Sequence, residues 1–248
     1  MARRILQVLV TVITLLLWTT QDLAAQADKT ASIYHVFPQI ADGLLSDGSY
    51  FQTHLLVTNV NADSTTCTYN LFGLSTTRLQ SANHFVLSNA GAYQFIPTTG
   101  NQANLASGYS TLSCDKPVTA LVVYSYITKF GLAAFATVFS SQGATLAQLF
   151  IDQRTGSRLA LALANDTASP LSYDIIVSDT SGKEAGRKTI SVNSKSNIAR
   201  FVDEFVSLPP AFSGAVVIHS QSGQPFNVIG LLFGGNTFTT IPATTFLR

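Results

Sequence analysis

From residue 51 to 60 the chain alternates. Phe51, Leu55 and Val57 fall on one side and Gln52, His54 and Thr58 on the other, which is the two-residue period of a half-buried β-strand. Short apolar stretches continue at 66–72, 85–87, 93–96, 109–114, 118–127 and 132–139. Others follow at 146–151, 158–164, 171–178, 188–192, 215–219, 226–233 and 238–241. Gly, Asn, Asp or Ser clusters separate most of them. Strands of this length, recurring every 8–12 residues or so, predict antiparallel sandwiches. One helical turn is predicted at 202–206, where Val202, Phe205 and Val206 recur at helical spacing.

The pattern occurs twice, about 106 residues apart. Leu-Leu-Val-Thr ending at Asn59 answers to Ala-Leu-Ala-Leu-Ala ending at Asn165. The strand from Cys67 answers to that from Tyr173, Phe95 to Phe201, and Gly108 through Cys114 to Gly214 through Ser220. A repeat at fixed spacing defines the folding unit. The expected fold is therefore all-β: two tandem, related antiparallel β-sandwich (Ig-like) modules at 28–142 and 143–248, following a signal peptide at 1–27. The boundary falls in the small polar stretch 140–143. The first copy carries about seven extra residues near 44–50 and differs in length again at 128–132, and copy-specific function is expected at such insertions.

The leader is read from Arg3 and Arg4, the apolar run 5–18 and the small residues Ala25 and Ala27. That run is shorter than the roughly 20 residues a helix needs to cross a bilayer. Cleavage after Ala27 fits best and after Ala25 next, giving a product that is secreted, at the cell surface or periplasmic, with no transmembrane anchor. Of 14 basic and 13 acidic residues, Arg3, Arg4 and Asp22 lie in the leader, so the remainder balances at zero formal charge. Such a surface offers no electrostatic footprint for nucleic acid. Trp18 and Met1, the only residues of their types, also lie in the leader.

Two cysteines in an exported chain invite a disulfide. Cys67 shares a strand face with Tyr69 and Leu71, and Cys114 shares one with Leu112. The matching positions of the second copy are mostly apolar, so both thiols are expected to point inward. A Cys67–Cys114 bridge would stabilise the fold by about 4 kcal/mol on the chain-entropy account.

The run Val36-Phe-Pro-Gln-Ile-Ala-Asp-Gly43, followed by Gln52-Thr-His-Leu-Leu-Val-Thr-Asn59 and closing with Phe238-Thr-Thr-Ile-Pro242, resembles a module of uncharacterised secreted bacterial proteins. The resemblance implies a β-rich exported fold and carries no activity across.

Catalytic chemistry needs a positioned base with a nucleophile, or paired carboxylates. His35, His54, His84 and His219 are scattered, no G-x-S-x-G or H-E-x-x-H occurs, and Glu184 and Glu204 are the only glutamates. The chain is expected to be a non-enzyme without cofactor. Its expected role is structural or adhesive, meeting an extracellular protein or polysaccharide surface. The alternative is a carbohydrate-binding module in which Tyr124, Tyr126, Phe130 and Tyr50 supply stacking rings; a hydrolase with an unfamiliar site ranks below both. Asp42 and Asp47 flank the first insertion as a weak calcium candidate, although Asp-Gly pairs more often mark tight turns. Asn59 and Asn165 read as turn residues.

Overall fold

A computed structural model describes residues 31–73, 82–95, 104–235 and 237–246; the expected leader at 1–27 lies outside them. Seven strands form the first sheet: β1 (Ala31–Leu44), β2 (Tyr50–Asn59), β3 (Thr65–Phe72), β4 (Ala82–Leu87), β5 (Ala92–Phe95), β6 (Ala106–Thr128) and β7 (Gly131–Phe139). Their order is β4-β3-β6-β1-β2-β5, with β7 also on β6. The second sheet has the order β11-β10-β13-β8-β16, from β8 (Leu146–Asp152), β10 (Leu171–Asp179), β11 (Glu184–Val192), β13 (Ser213–Ser220) and β16 (Thr244–Phe246). The third has the order β12-β9-β14-β15, from β9 (Arg158–Asn165), β12 (Ser196–Phe201), β14 (Asn227–Gly234) and β15 (Thr237–Pro242). All strand pairings within the sheets are antiparallel. The predicted helical turn is α1 (Val202–Phe205), which ends as the Val206 N–H donates to the Val202 carbonyl at 3.1 Å.

Strand β6 is a single 23-residue strand where the pattern predicts two. Its first half pairs with β3 and its second half with β2 and β7, while β1 runs along the first half and, after a register shift, reaches Val118 and Thr119. Strand β3 gives way to β2 across 115–117, where Pro117 has no N–H to donate to a ladder. Strand β1 is missed by the alternation test because its fully buried run 35–40 mixes the polar His35 and Gln39 with apolar residues and contains Pro38, so no two-residue period shows. Pro38 is accommodated there by an irregularity in register between Phe37 and Ile40.

The repeat is visible in the pairing. The order β4-β3-β6-β1 in the first copy matches β11-β10-β13-β8 in the second, and β5-β2-β6-β7 matches β12-β9-β14-β15. Cys67 lies opposite Cys114, and 106 positions later Tyr173 lies opposite Ser220. The two cysteines form a disulfide, as their inward-facing pattern predicts.

The third sheet is a middle layer. Leu159, Leu161 and Leu163 of β9 join Val228 in a core shared with the second sheet. Ala160 and Ala162, on the opposite face of the same strand, join Ile229 and Leu231 in the core of the first sheet. Ala164 packs with Val36 and Tyr109. The Leu/Ala alternation of β9 thus encodes a strand buried on both sides. Its long residues fill one core, and its methyls admit the first sheet closely.

Candidate functional site

The repeated asparagines are buried, and their hydrogen bonds are the same in both copies. The Asn59 side-chain amide donates to the carbonyls of Asp63 (2.7 Å) and Ser88 (2.9 Å), and its oxygen accepts from the Asn61 N–H (2.9 Å). Asn165 donates to Ser169 (2.8 Å), Val192 and Asn193 (both 3.1 Å), and accepts from the Thr167 N–H (3.0 Å). Both side chains therefore pin loops, as their position at strand ends implies. His35 is also structural: Nε2 lies 3.0 Å from the carbonyls of Ser32 and Val118, and Nδ1 lies 3.0 Å from Ser140 Oγ. Two carbonyl acceptors fix the proton on Nε2, so Nδ1 accepts from the serine. Burial holds its pKa below the ordinary histidine value.

The aromatics singled out from the sequence divide. Tyr124 is a core residue at 2% exposure, and its hydroxyl donates to the Gln39 carbonyl. Tyr126 is half-buried, 5.1 Å from the Phe51 ring, with its hydroxyl donating to Ser49 Oγ at 3.0 Å. Tyr50 is half-buried opposite Ile127. Of the four, Phe130 alone stands clear of the fold, at 89% exposure. Asp42 is buried in β1, whereas Asp47 is exposed at the tip of the β1–β2 hairpin. There Asp47 accepts from the Ser49 N–H at 3.0 Å and from the Ser49 hydroxyl, bonds that hold its carboxyl below the usual carboxylate range. Among the described residues no three His, Cys, Asp or Glu side chains gather where they would hold a metal ion.

Two arrangements escape a reading of sequence alone. The first is an apolar outer face on β7. Phe135 and Phe139 are about two-thirds exposed, while Ala136 and Val138 point inward, so the strand carries its large residues outside. Phe139 lies across from Leu121, which lies across from Leu56, so one apolar rung spans three strands. Leu132 and Phe130 extend the face to the hairpin tip. The detectable signal is the order Ala-Ala-Phe-Ala-Thr-Val-Phe, in which the bulky positions oppose the buried ones.

The second is a cavity of about 320 Å³ between the first and third sheets. Phe51 and Tyr124 enter it from the first sheet, and Phe201, Phe233 and Phe238 from the third. The rings already meet one another, Phe51–Phe238 at 5.7 Å, Phe201–Phe233 at 5.4 Å and Phe233–Phe238 at 5.7 Å. The Arg158 guanidinium lies 3.8 Å over Phe201 and is held by Asp203 at 2.7 Å. Arg200, Glu204, Gln39 and Ser107 supply its polar lining.

Further along the same interface, Asp166 gathers partners from three segments. It accepts from the hydroxyls of Tyr34 and Tyr109 (2.9 Å for the latter) and from Lys195 Nζ at 2.9 Å. Burial, and after it the Asp166 carboxylate, raise both tyrosine pKa values well above normal, so both remain protonated donors. Asn197 adds bonds to the carbonyls of Pro38 (3.1 Å) and Gly108 (2.9 Å). These are braces between layers.

No protein-family model matches the chain, and no curated protein matches it. Among solved structures, one from Parabacteroides distasonis ATCC 8503, named a "putative secreted protein", is similar at 12% identity with a TM-score of 0.23, over 75% of this chain and 74% of that one. An anti-sigma factor domain-containing protein is similar at 8% identity and a TM-score of 0.14, over 87% and 98%. At those scores neither carries an argument about fold or function. No helix among the described residues is long and apolar enough to cross a membrane.

Proposed function

We propose that this chain is an exported, non-enzymatic protein of two tandem, related Ig-like modules, acting structurally or adhesively through surface contact. The observation that carries this reading is the apolar face of β7. Phe130, Leu132, Phe135 and Phe139 are each at least 60% exposed, and such a grouping of large apolar side chains in solvent marks contact sites. The disulfide is in keeping with an oxidising compartment, and the resemblance to uncharacterised secreted proteins agrees with export. The contact is with another protein surface. The aliphatic and aromatic rung Leu56–Leu121–Phe139 lies in a shallow recess rimmed by Thr58, Thr119 and Ser140, where an apolar protein side chain buries its area well.

The test compares the wild-type mature protein with a Phe135→Ser/Phe139→Ser variant by light scattering over a concentration series. Both positions are exposed, so the variant is expected to keep its fold. Wild-type assemblies that disappear in the variant support the reading, with a second copy as partner. Where both proteins stay monomeric, adhesion to immobilised cell-surface protein is measured instead. Binding that is equal in the two, or absent from both, rejects the apolar face as the working surface.

A further inference from the structure

We propose that the cavity between the first and third sheets is a binding site for a small, uncharged aromatic molecule of about two fused rings. The proposal goes beyond the surface role above and rests on a different part of the molecule. Size sets the first limit. An apolar cavity of about 150 Å³ accepts one benzene, so about 320 Å³ accepts a bicyclic ligand.

The walls set the second limit. Phe51 meets Phe238 edge-on, and Phe233 lies nearly parallel to Phe238. An inserted ring therefore finds both the edge and the face contacts that aromatic pairs prefer. Charge sets the third. Arg158 is already paired with Asp203, and the lining adds one cation, Arg200, and one anion, Glu204. The balanced lining favours neither sign of ion; an anion among the ring faces would lose hydration without compensation, and the Phe201 face that could hold a cation is already taken by Arg158. One polar substituent can be met at Ser107, whose hydroxyl accepts from the Gln39 amide at 3.0 Å and keeps its own proton to donate.

The test uses 2-naphthol as probe with the full mature protein. Because Trp18 is the only tryptophan and lies in the expected leader, no indole emission overlays the probe in the wild type. The wild type is expected to bind saturably at one site, with calorimetry giving the stoichiometry. Ala199 lines the cavity on an exposed stretch of β12, so Ala199→Trp should obstruct it and weaken binding at least about tenfold. Ala133→Trp, on exposed β7 away from the cavity, should bind as the wild type does in calorimetry. Should Ala199→Trp fail to fold, Ala41→Phe fills the cavity from the opposite wall and is held to the same expectation.

Absence of saturable wild-type binding overturns the proposal, as does unweakened binding by a folded cavity-filling variant. The Phe135→Ser/Phe139→Ser protein should bind the probe normally. If it loses binding instead, the probe reports the outer face, and the cavity proposal fails while the surface role stands.

Discussion

At the scale of single residues, the asparagines that end β2 and β9 do the same work in both copies. Each is buried, and one side chain satisfies several carbonyls of a turning chain that strands cannot reach. Removing such a donor leaves buried acceptors unpaired, at about 1–3 kcal/mol for an affected group. Asn165→Ala is therefore expected to cost about 2–3 kcal/mol, measured as a lower urea midpoint at unchanged slope. Asn59→Ala should cost a similar amount. Asn165→Asp should not rescue, because an ionised carboxylate cannot donate to Ser169, Val192 and Asn193. These residues were legible in the sequence because they recur at the repeat spacing. Asp166 was not. Its partners Tyr34 and Tyr109 lie 132 and 57 positions away, and no local period reports a contact made across two layers.

At the scale of elements, the clearest case is β9, whose two faces serve different cores. Leu161→Ala removes a fully buried side chain from the core of the second sheet and should cost about 2–5 kcal/mol. Ala162→Leu, one position on, inserts bulk where the first sheet closes on the methyl face and should cost about 1–3 kcal/mol. The two changes should also differ in where they loosen the fold. By amide exchange, the first should act mainly on β10 and β13 of the second sheet and the second mainly on β1 and β6 of the first. Equal, delocalised effects would contradict the two-core arrangement. The alternation Leu-Ala-Leu-Ala was visible from the start, but its meaning depends on knowing that both faces are covered. Buried polar His35 and Gln39 around Pro38 hid β1, and Pro117 made β6 read as two strands. Most strands were legible, β9 among them although both its faces are covered; what the pattern did not show was β1 and the continuity of β6.

At the scale of the whole molecule, the question is whether the two copies melt separately. A duplicated chain of this length would by default be expected to unfold in stages. Here the third sheet contributes Ala160, Ala162, Ile229 and Leu231 to the first core while contributing the leucines of β9 to the second. Polar bonds cross the same interface. Tyr34, Tyr109 and Lys195 converge on Asp166, Asn197 reaches the first sheet, and Thr240 donates to the Thr137 carbonyl at 2.6 Å. Unfolding either outer layer alone would expose one face of the middle sheet and strip these groups of their partners. The protein is therefore expected to give a single calorimetric transition, with calorimetric and van't Hoff enthalpies in agreement. Reduction of Cys67–Cys114, which removes a stabilisation of about 4 kcal/mol from the first copy, should then lower the temperature of the whole transition. A low-temperature shoulder that appears on reduction, or two resolved transitions in the oxidised protein, would mean that the middle sheet does not couple the layers, and that the copies behave as independent modules in contact.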